Sequence, residues 1–272
     1  MGGVTLYDMS MTKVAQRGVK WFEFIPEPPS YDESTEKIYN GEIPMGKTRN
    51  SRMISAKFWL KGYDALDYKL LRDEVYGFLS PRKDFFVVDS DLPGKRWKVS
   101  VESVTINRLN RRIGEGEVTF KAHRGIAESL DYSMDQYNTD NGRWTTGMGI
   151  ESDADKQDYF HNTSSFMVFN AGNVVVDPRE SELKITINAT NGGSGTIKLK
   201  NLFTGEEWMY TGTTNAGDTF IINKMVTQRN FANAVGNTNL QLVSLLPGNN
   251  PFTLTGLNAG FNVAFDFRFL YE

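Results

Sequence analysis

The chain has 272 residues, 39% of them hydrophobic and 12% aromatic, a composition that supports packed cores and excludes global disorder. It contains no cysteine, which excludes disulfides, zinc-thiolate sites and thiol chemistry, and its two histidines, His123 and His161, leave little for a histidine metal site or a triad. Net charge is about −3 with both signs mixed, so neither half offers a nucleic-acid footprint.

No apolar run approaches the length of a membrane span, and the first residues hold no apolar segment of the signal-peptide kind, so neither is expected. Residues 1–150 carry 22 basic and 21 acidic side chains, and residues 151–272 carry 8 and 12. The second half is also richer in Asn, Gly and Thr. This shift places a domain boundary near residues 130–160.

Residues 1–30 are irregular apart from a short strand in VKWFEFI, where Trp21 or Phe22, Phe24 and Ile25 are the expected buried positions. The PEPPS that follows cannot sit in a central strand. Residues 31–51 are polar and read as a hairpin about Asn40-Gly41. RMISAKFWLKG alternates Ile54, Ala56, Phe58 and Leu60 with polar neighbours, the pattern of a half-buried strand. Asp64 then caps a helix whose expected apolar face is Leu66, Leu70, Leu71, Val75 and Phe78, ended by Ser80-Pro81. Strands follow at FFVV, at WKVSVESVTI with Trp97, Val99 and Val101 on one face, and at EVTFKAH with Val118, Phe120 and Ala122. A helix of four turns needs a sheet to cover its apolar face.

Residues 123–149 lose this patterning, with a turn signal at Asn141-Gly142. Asp153, Asp155 and Asp158 lack the glycine and terminal glutamate of a calcium loop and read as a solvated face. From residue 162 the chain reads as short strands: SFMVFN, VVVDP, ELKITIN, TIKLKN, EEWMY, DTFIINK and two strands across the Pro-Gly-Asn-Asn turn of LLPGNNPFTLTG, with NGGSG as a flexible turn. The last strand places Phe261, Val263, Phe265, Phe267 and Phe269 on one face and belongs in the centre of a core. This spacing is that of a β-sandwich or jelly roll. Asn162-Thr163-Ser164 and Asn188-Ala189-Thr190 match a glycosylation pattern and read as surface loops.

No dinucleotide fingerprint, phosphate loop or nucleophile elbow is present. Glu206 with Glu207, and Glu180 with Glu182, are the available carboxylate pairs, but adjacent residues of a strand point to opposite faces. Carbohydrate binding is the stronger alternative, with Trp144, Trp208 and Tyr210 as a possible aromatic platform; one buried tryptophan per half is the plainer reading of the same residues.

The order of these pieces resembles the phage distal tail protein family, the baseplate hub proteins of long non-contractile tailed phages. The resemblance lies in the strand with Phe58 before Gly62-Tyr63-Asp64, the helix with Leu66, Tyr68, Leu70, Leu71 and Arg72, and strands Trp97–Val101 and Glu117–Ala122. Asn170-Ala171-Gly172-Asn173 and Leu246-Pro247-Gly248-Asn249-Asn250 carry it in the second half. It implies a mainly β chain: an N-terminal β-sandwich-like, ring-forming domain with one packed α-helix over residues 1–135, a connecting segment over 136–161, and a C-terminal galectin-like β-sandwich over 162–272. It further implies a virion protein of the tail tip, made in the host cytoplasm. Such a protein forms a hexameric ring between the tail tube protein and a tail-associated or tail-tip protein, and offers a platform to receptor-binding or peripheral baseplate proteins. The resemblance implies no catalysis, cofactor, metal, nucleic-acid binding or membrane insertion. The expected interface residues are Tyr39, Lys47 and Arg49 in the polar hairpin and the basic cluster Arg108, Arg111 and Arg112.

Overall fold

The computed structural model describes residues 3–135, 143–145, 147–150 and 158–272. Asn141-Gly142, Asp153 and Asp155 lie outside the described residues, and Asp158 is exposed. The chain divides into two compact units, Met1–Glu128 with Glu272, and Ser129–Tyr271.

The first unit comprises β1 (Val4–Tyr7), β2 (Lys13–Val14), β3 (Val19–Pro26), β4 (Tyr31–Ile38), β5 (Gly41–Arg49), β6 (Arg52–Lys61), α1 (Ala65–Phe78), β7 (Asp84–Asp89), β8 (Lys95–Arg108) and β9 (Ile113–Ala122). A short strand, β10 (Ala127–Ser129), runs beside β8. One antiparallel path, β2-β1-β7-β8-β9-β6-β3, replaces the two stacked layers of a sandwich. The path curls on itself: a Cβ added to Gly3, beside β1, would stand 3.7 Å from the carbonyl oxygen of Trp21 in β3, the opposite edge. β1 has no counterpart in the sequence reading because only Val4 and Leu6 of its four residues face inward.

The strand alternation of β6 and β9 holds as expected. Ile54, Ala56, Phe58 and Leu60 are buried, as are Val118, Phe120 and Ala122. Phe58 is paired with Gly116, where any side chain would overlap its ring. In β3 no residue is fully buried and Ile25 is exposed, which corrects its assignment to the core. Trp21 instead packs edge-on against Phe58, with ring centroids 4.9 Å apart. The other face of the sheet is mixed, with Lys57 bound to Glu23 at 2.7 Å, Ser55 donating to Glu117 at 2.9 Å, and Trp59 stacked on Phe22 at 5.1 Å.

The second unit is a β-sandwich. One sheet has the order β11-β20-β13-β16-β17-β18, from β11 (Phe160–His161), β13 (Leu183–Ala189), β16 (Asp218–Asn223), β17 (Val226–Arg229), β18 (Ala232–Asn233) and β20 (Phe261–Phe267). The other is β12-β19-β14-β15, from β12 (Ser165–Asn170), β14 (Gly193–Asn201), β15 (Glu207–Tyr210) and β19 (Gly248–Leu257). β21 (Leu270–Tyr271) ends the unit. Rings cross between the sheets: Phe265 of β20 lies 5.0 Å from Phe252 of β19, and Tyr210 of β15 lies 4.7 Å from Phe220 of β16. β20 is an inner strand of its sheet, between β11 and β13.

Four expectations fail here. VVVDP forms only a single bridge, Val176 to Leu245. The residues before Gly248 are not a strand, so Pro-Gly-Asn-Asn does not join two strands; Gly248 opens β19. Gly193 already pairs with Leu257, which leaves the turn to Thr190-Asn191-Gly192, closed by the Gly192 amide donating to the Ala189 carbonyl at 3.1 Å, rather than to the whole NGGSG run. Asn188 lies within β13, where its amide donates to Asn262 at 2.6 Å, so it is not in a surface loop.

Asp266 of β20 gives a pH prediction. Burial pushes its carboxyl above the usual range, Lys184 opposite it pulls the other way, and Asp135 adds to the upward push. Because the folded value exceeds the unfolded one (~3.9), this group's contribution is most favourable at low pH. It declines as pH rises through the folded value. Asp266→Asn is expected to raise thermal stability at neutral pH by less than about 1 kcal/mol, given solvent screening. In melts at pH 4 and pH 7, the gain over wild type should be present only at the higher pH.

Candidate assembly surfaces

The hairpin of β4 and β5 is a two-stranded ribbon in a sheet of its own. Ile38 pairs with Gly41 across a Tyr39-Asn40 loop, so the hairpin forms with its turn one residue before the Asn40-Gly41 signal and Gly41 already in β5. The pairing continues to Tyr31 opposite Arg49, with a bulge between Ser34 and Thr35. Nearly every residue is exposed on both faces, which is why the segment lacks a buried stripe in sequence. At its base, Asn50 donates its amide side chain to Asp32 at 2.9 Å, and Tyr31 and Arg49 both hydrogen-bond Glu272. The Tyr31 hydroxyl, followed by Arg49, holds the Glu272 carboxyl below its usual range. Toward the tip, Ile38, Tyr39, Ile43 and Met45 are exposed apolar side chains.

A second surface surrounds the start of α1. Asp64 caps the helix, its carboxylate accepting from the amides of Leu66 and Asp67 at 2.8 and 2.9 Å. Arg17 pairs with Asp67 at 2.8 Å and lowers its carboxyl. The buried side of the helix is Tyr68, Leu71 and Val75. Leu66 and Leu70 are 68% and 56% exposed and Tyr63 is 84% exposed, which corrects the broad apolar face expected to turn inward. At 100° per residue, 66 and 70 lie opposite 68, 71 and 75. Tyr68 takes the inward position in their place.

The β8–β9 turn stands beside that helix start. Asn110 closes it by accepting from the amides of Arg112 and Ile113 at 2.9 and 3.0 Å. Arg108 splints it, donating to the carbonyls of Asn110 and Arg111 at 2.8 and 2.9 Å, with its guanidinium 5.2 Å from the Tyr68 ring. The Arg112 guanidinium donates to the carbonyl of Tyr63 at 3.4 Å, and the amide of Gly62 donates to the carbonyl of Arg112 at 2.8 Å. Arg108, Arg111 and Arg112 thus form one exposed basic group adjoining Tyr63, whereas Tyr39, Lys47 and Arg49 are spread from tip to base of the hairpin.

In the second unit, Trp144, Trp208 and Tyr210 are buried, so their faces do not form a solvent-facing platform. Trp208 donates from its indole nitrogen to Thr227 at 3.3 Å, and Trp144 packs edge-on against Phe269. A cavity of about 290 Å³ lies beside Trp208, walled by Met225, Thr227, Leu240 and Leu242. The carboxylates do not converge: Glu206 accepts from both the amide and the hydroxyl of Ser244, and Glu182 from the hydroxyl of Tyr132. Among the described residues no group of three or more His, Asp or Glu could hold a metal ion, and no helix is long and apolar enough to cross a membrane.

Residues 17–122 match a family described as phage tail protein RIFT-related domain. The crystal structure of the SPP1 Dit (gp 19.1) protein is described as a paradigm of the hub adsorption apparatus in phages infecting Gram-positive hosts. It is similar to this chain with a TM-score of 0.67 at 11% identity, over 98% of this chain and 99% of its own. A chain of the phage p2 baseplate, in its activated conformation with Sr, aligns over 98% of each chain at 12% identity with a TM-score of 0.45. No curated protein matches in sequence. Residues 17–122 are thus similar to a phage tail protein RIFT-related domain, and the chain has, end to end, the fold of the SPP1 Dit protein.

Proposed function

We propose that this chain is a non-catalytic distal tail protein, the baseplate hub of a bacteriophage. It resides at the tail tip of the virion, assembled there after synthesis in the host cytoplasm. Six copies form a ring through the N-terminal domain, joining the tail tube protein to a tail-associated or tail-tip protein. The C-terminal sandwich, galectin-like in kind, serves as a platform for receptor-binding or peripheral baseplate proteins. The observation that carries this reading is the end-to-end fold likeness to a Dit hub protein, together with the tail-protein domain over residues 17–122. The exposed ribbon and the uncovered helix face support it, because a ring subunit needs complementary surfaces that differ from each other. Arg108, Arg111, Arg112, Tyr39, Lys47 and Arg49 are the proposed contact residues. Carbohydrate binding is the weaker reading, since its three candidate aromatics are core residues.

Negative-stain imaging with mass measurement of the purified chain tests the assignment. The expected result is a six-fold ring of six times the 30.7 kDa chain mass, its population rising with concentration. A monomer at every concentration would overturn it.

A further inference from the structure

We propose that Asn40, at the tip of the β4–β5 ribbon, is a self-modification site. Its side-chain carbon is attacked by the Gly41 amide and its nitrogen is lost as ammonia, leaving an aspartyl or isoaspartyl residue. The inference stands on the geometry of the ribbon and does not depend on the hub reading.

An asparagine followed by glycine favours this ring closure, because no Cβ on the next residue obstructs the approach. The chain has such pairs at Asn40-Gly41, at Asn191-Gly192 and, outside the described residues, at Asn141-Gly142. The fold treats the first two in opposite ways. The Asn191 carboxamide donates to the carbonyl of Ala259 at 2.7 Å, and its main-chain carbonyl accepts from Asn258 at 2.9 Å. The amide of Gly192, which would be the attacking group, is bound to the Ala189 carbonyl at 3.1 Å, and Gly192 is buried. Both reacting groups are held apart from each other.

Asn40 and Gly41 are exposed, and a Cβ added to Gly41 would meet nothing within 4 Å. The Asn40 carboxamide has no hydrogen-bond partner among the described residues. Gly41 is restrained by its pairing with Ile38, the last pair of a two-stranded ribbon with no third strand among the described residues. Such terminal pairs open at little cost.

In the open tip the Gly41 nitrogen gives its proton to solvent base and bonds to Asn40 Cγ. The Cγ–Nδ2 bond breaks, and ammonia leaves with a proton taken from water. Water then opens the cyclic imide at either carbonyl. One opening gives aspartate on the original main chain; the other gives isoaspartate, with the main chain routed through Cβ and Cγ and therefore longer. Either product adds a carboxylate to a tip that already carries Glu36, Lys37 and Glu42. The longer chain of isoaspartate cannot keep Ile38 opposite Gly41, so that product unzips the ribbon from its tip.

The test incubates the purified chain in mildly alkaline buffer, folded and in urea, and follows both sites by peptide mass mapping. In urea Asn40 and Asn191 are expected to convert alike. In the folded chain Asn40 should convert at least about tenfold faster than Asn191, and Asn40→Gln should remove the reaction at this position. The isoaspartyl product, separated by chromatography against an Asn40→Asp standard, should lose hydrogen-exchange protection over residues 36–43, whereas Asn40→Asp keeps it. Equal, slow conversion of Asn40 and Asn191 in the folded chain would overturn the inference, the tip then being held closed by its own pairing or by a second copy. Unchanged protection in the isoaspartyl product would overturn the unzipping.

Discussion

Replacing Phe265 with alanine is expected to destabilise the C-terminal sandwich by about 3–5 kcal/mol, the range for deleting a fully buried phenyl ring. Phe265 is entirely buried in an inner strand, and its ring reaches across the sandwich to Phe252 at 5.0 Å and Phe166 at 5.9 Å. It is thus a link between the two sheets as well as apolar area removed from water. Its backbone is engaged too, the amide donating to the Tyr159 carbonyl at 2.9 Å and the carbonyl accepting from Ser133 at 3.0 Å, so the strand has little freedom to close the cavity. Guanidinium unfolding, followed by tryptophan emission in a background carrying Trp21→Phe, Trp59→Phe and Trp97→Phe in the first unit, leaves the buried Trp144 and Trp208 to report the sandwich. A loss under about 1.5 kcal/mol would show that the sheets collapse onto the gap. Leu66→Ala on the exposed face of α1 is the contrasting case. It should change stability by no more than about 0.5 kcal/mol, because Leu66 is 68% exposed within the chain. A residue with little effect on folding and a large one on assembly is the signature of a contact made between copies.

Leu66 also shows where sequence reading reaches its limit. Helix start and stop were legible because Asp64, Ser80 and Pro81 act locally on the backbone. The inward face was not, because a leucine on a helix is apolar whichever way it points. Strands β6, β9 and β20 were legible because each keeps one face buried along its whole length, which imprints a period of two. The β4–β5 ribbon has no such face, so only its Asn40-Gly41 turn could be read. That the first unit is one curled sheet depends on pairings such as β1 with β7 and β3 with β6, which join segments distant in sequence. No local pattern encodes them. The candidate surfaces followed the same rule: the arginines of the β8–β9 turn stood out by charge, whereas Tyr63, Leu66 and Leu70 were identified only by their exposure in the fold.

The Leu246-Pro247-Gly248-Asn249-Asn250 segment supplies the second large effect. Its pattern suggests a turn between strands, yet its work is done by the buried side chain of Asn250. The carboxamide oxygen accepts from the Leu246 amide at 2.9 Å and from the Asn201 side chain at 3.3 Å. The carboxamide nitrogen donates to the carbonyls of Leu246 at 2.8 Å and Gly248 at 3.0 Å, with Val168 of the paired strand β12 at 3.4 Å. One side chain thus satisfies several backbone groups of a non-repetitive segment that lies against the core. Asn250→Ala would leave those groups without their partner, at about 1–3 kcal/mol for each buried group that water cannot reach. The expected total is about 3–5 kcal/mol, read as a fall in the unfolding midpoint of the C-terminal sandwich. Asn250→Asp separates shape from bonding, since it keeps the volume but replaces the N–H donors with an acceptor oxygen beside three carbonyls. It should therefore cost at least as much as alanine at neutral pH and recover part of the loss as the pH falls and the carboxyl gains a proton to donate. Equal stability of Asn250→Asp and wild type at neutral pH would show that packing alone, without the carboxamide donors, holds this segment.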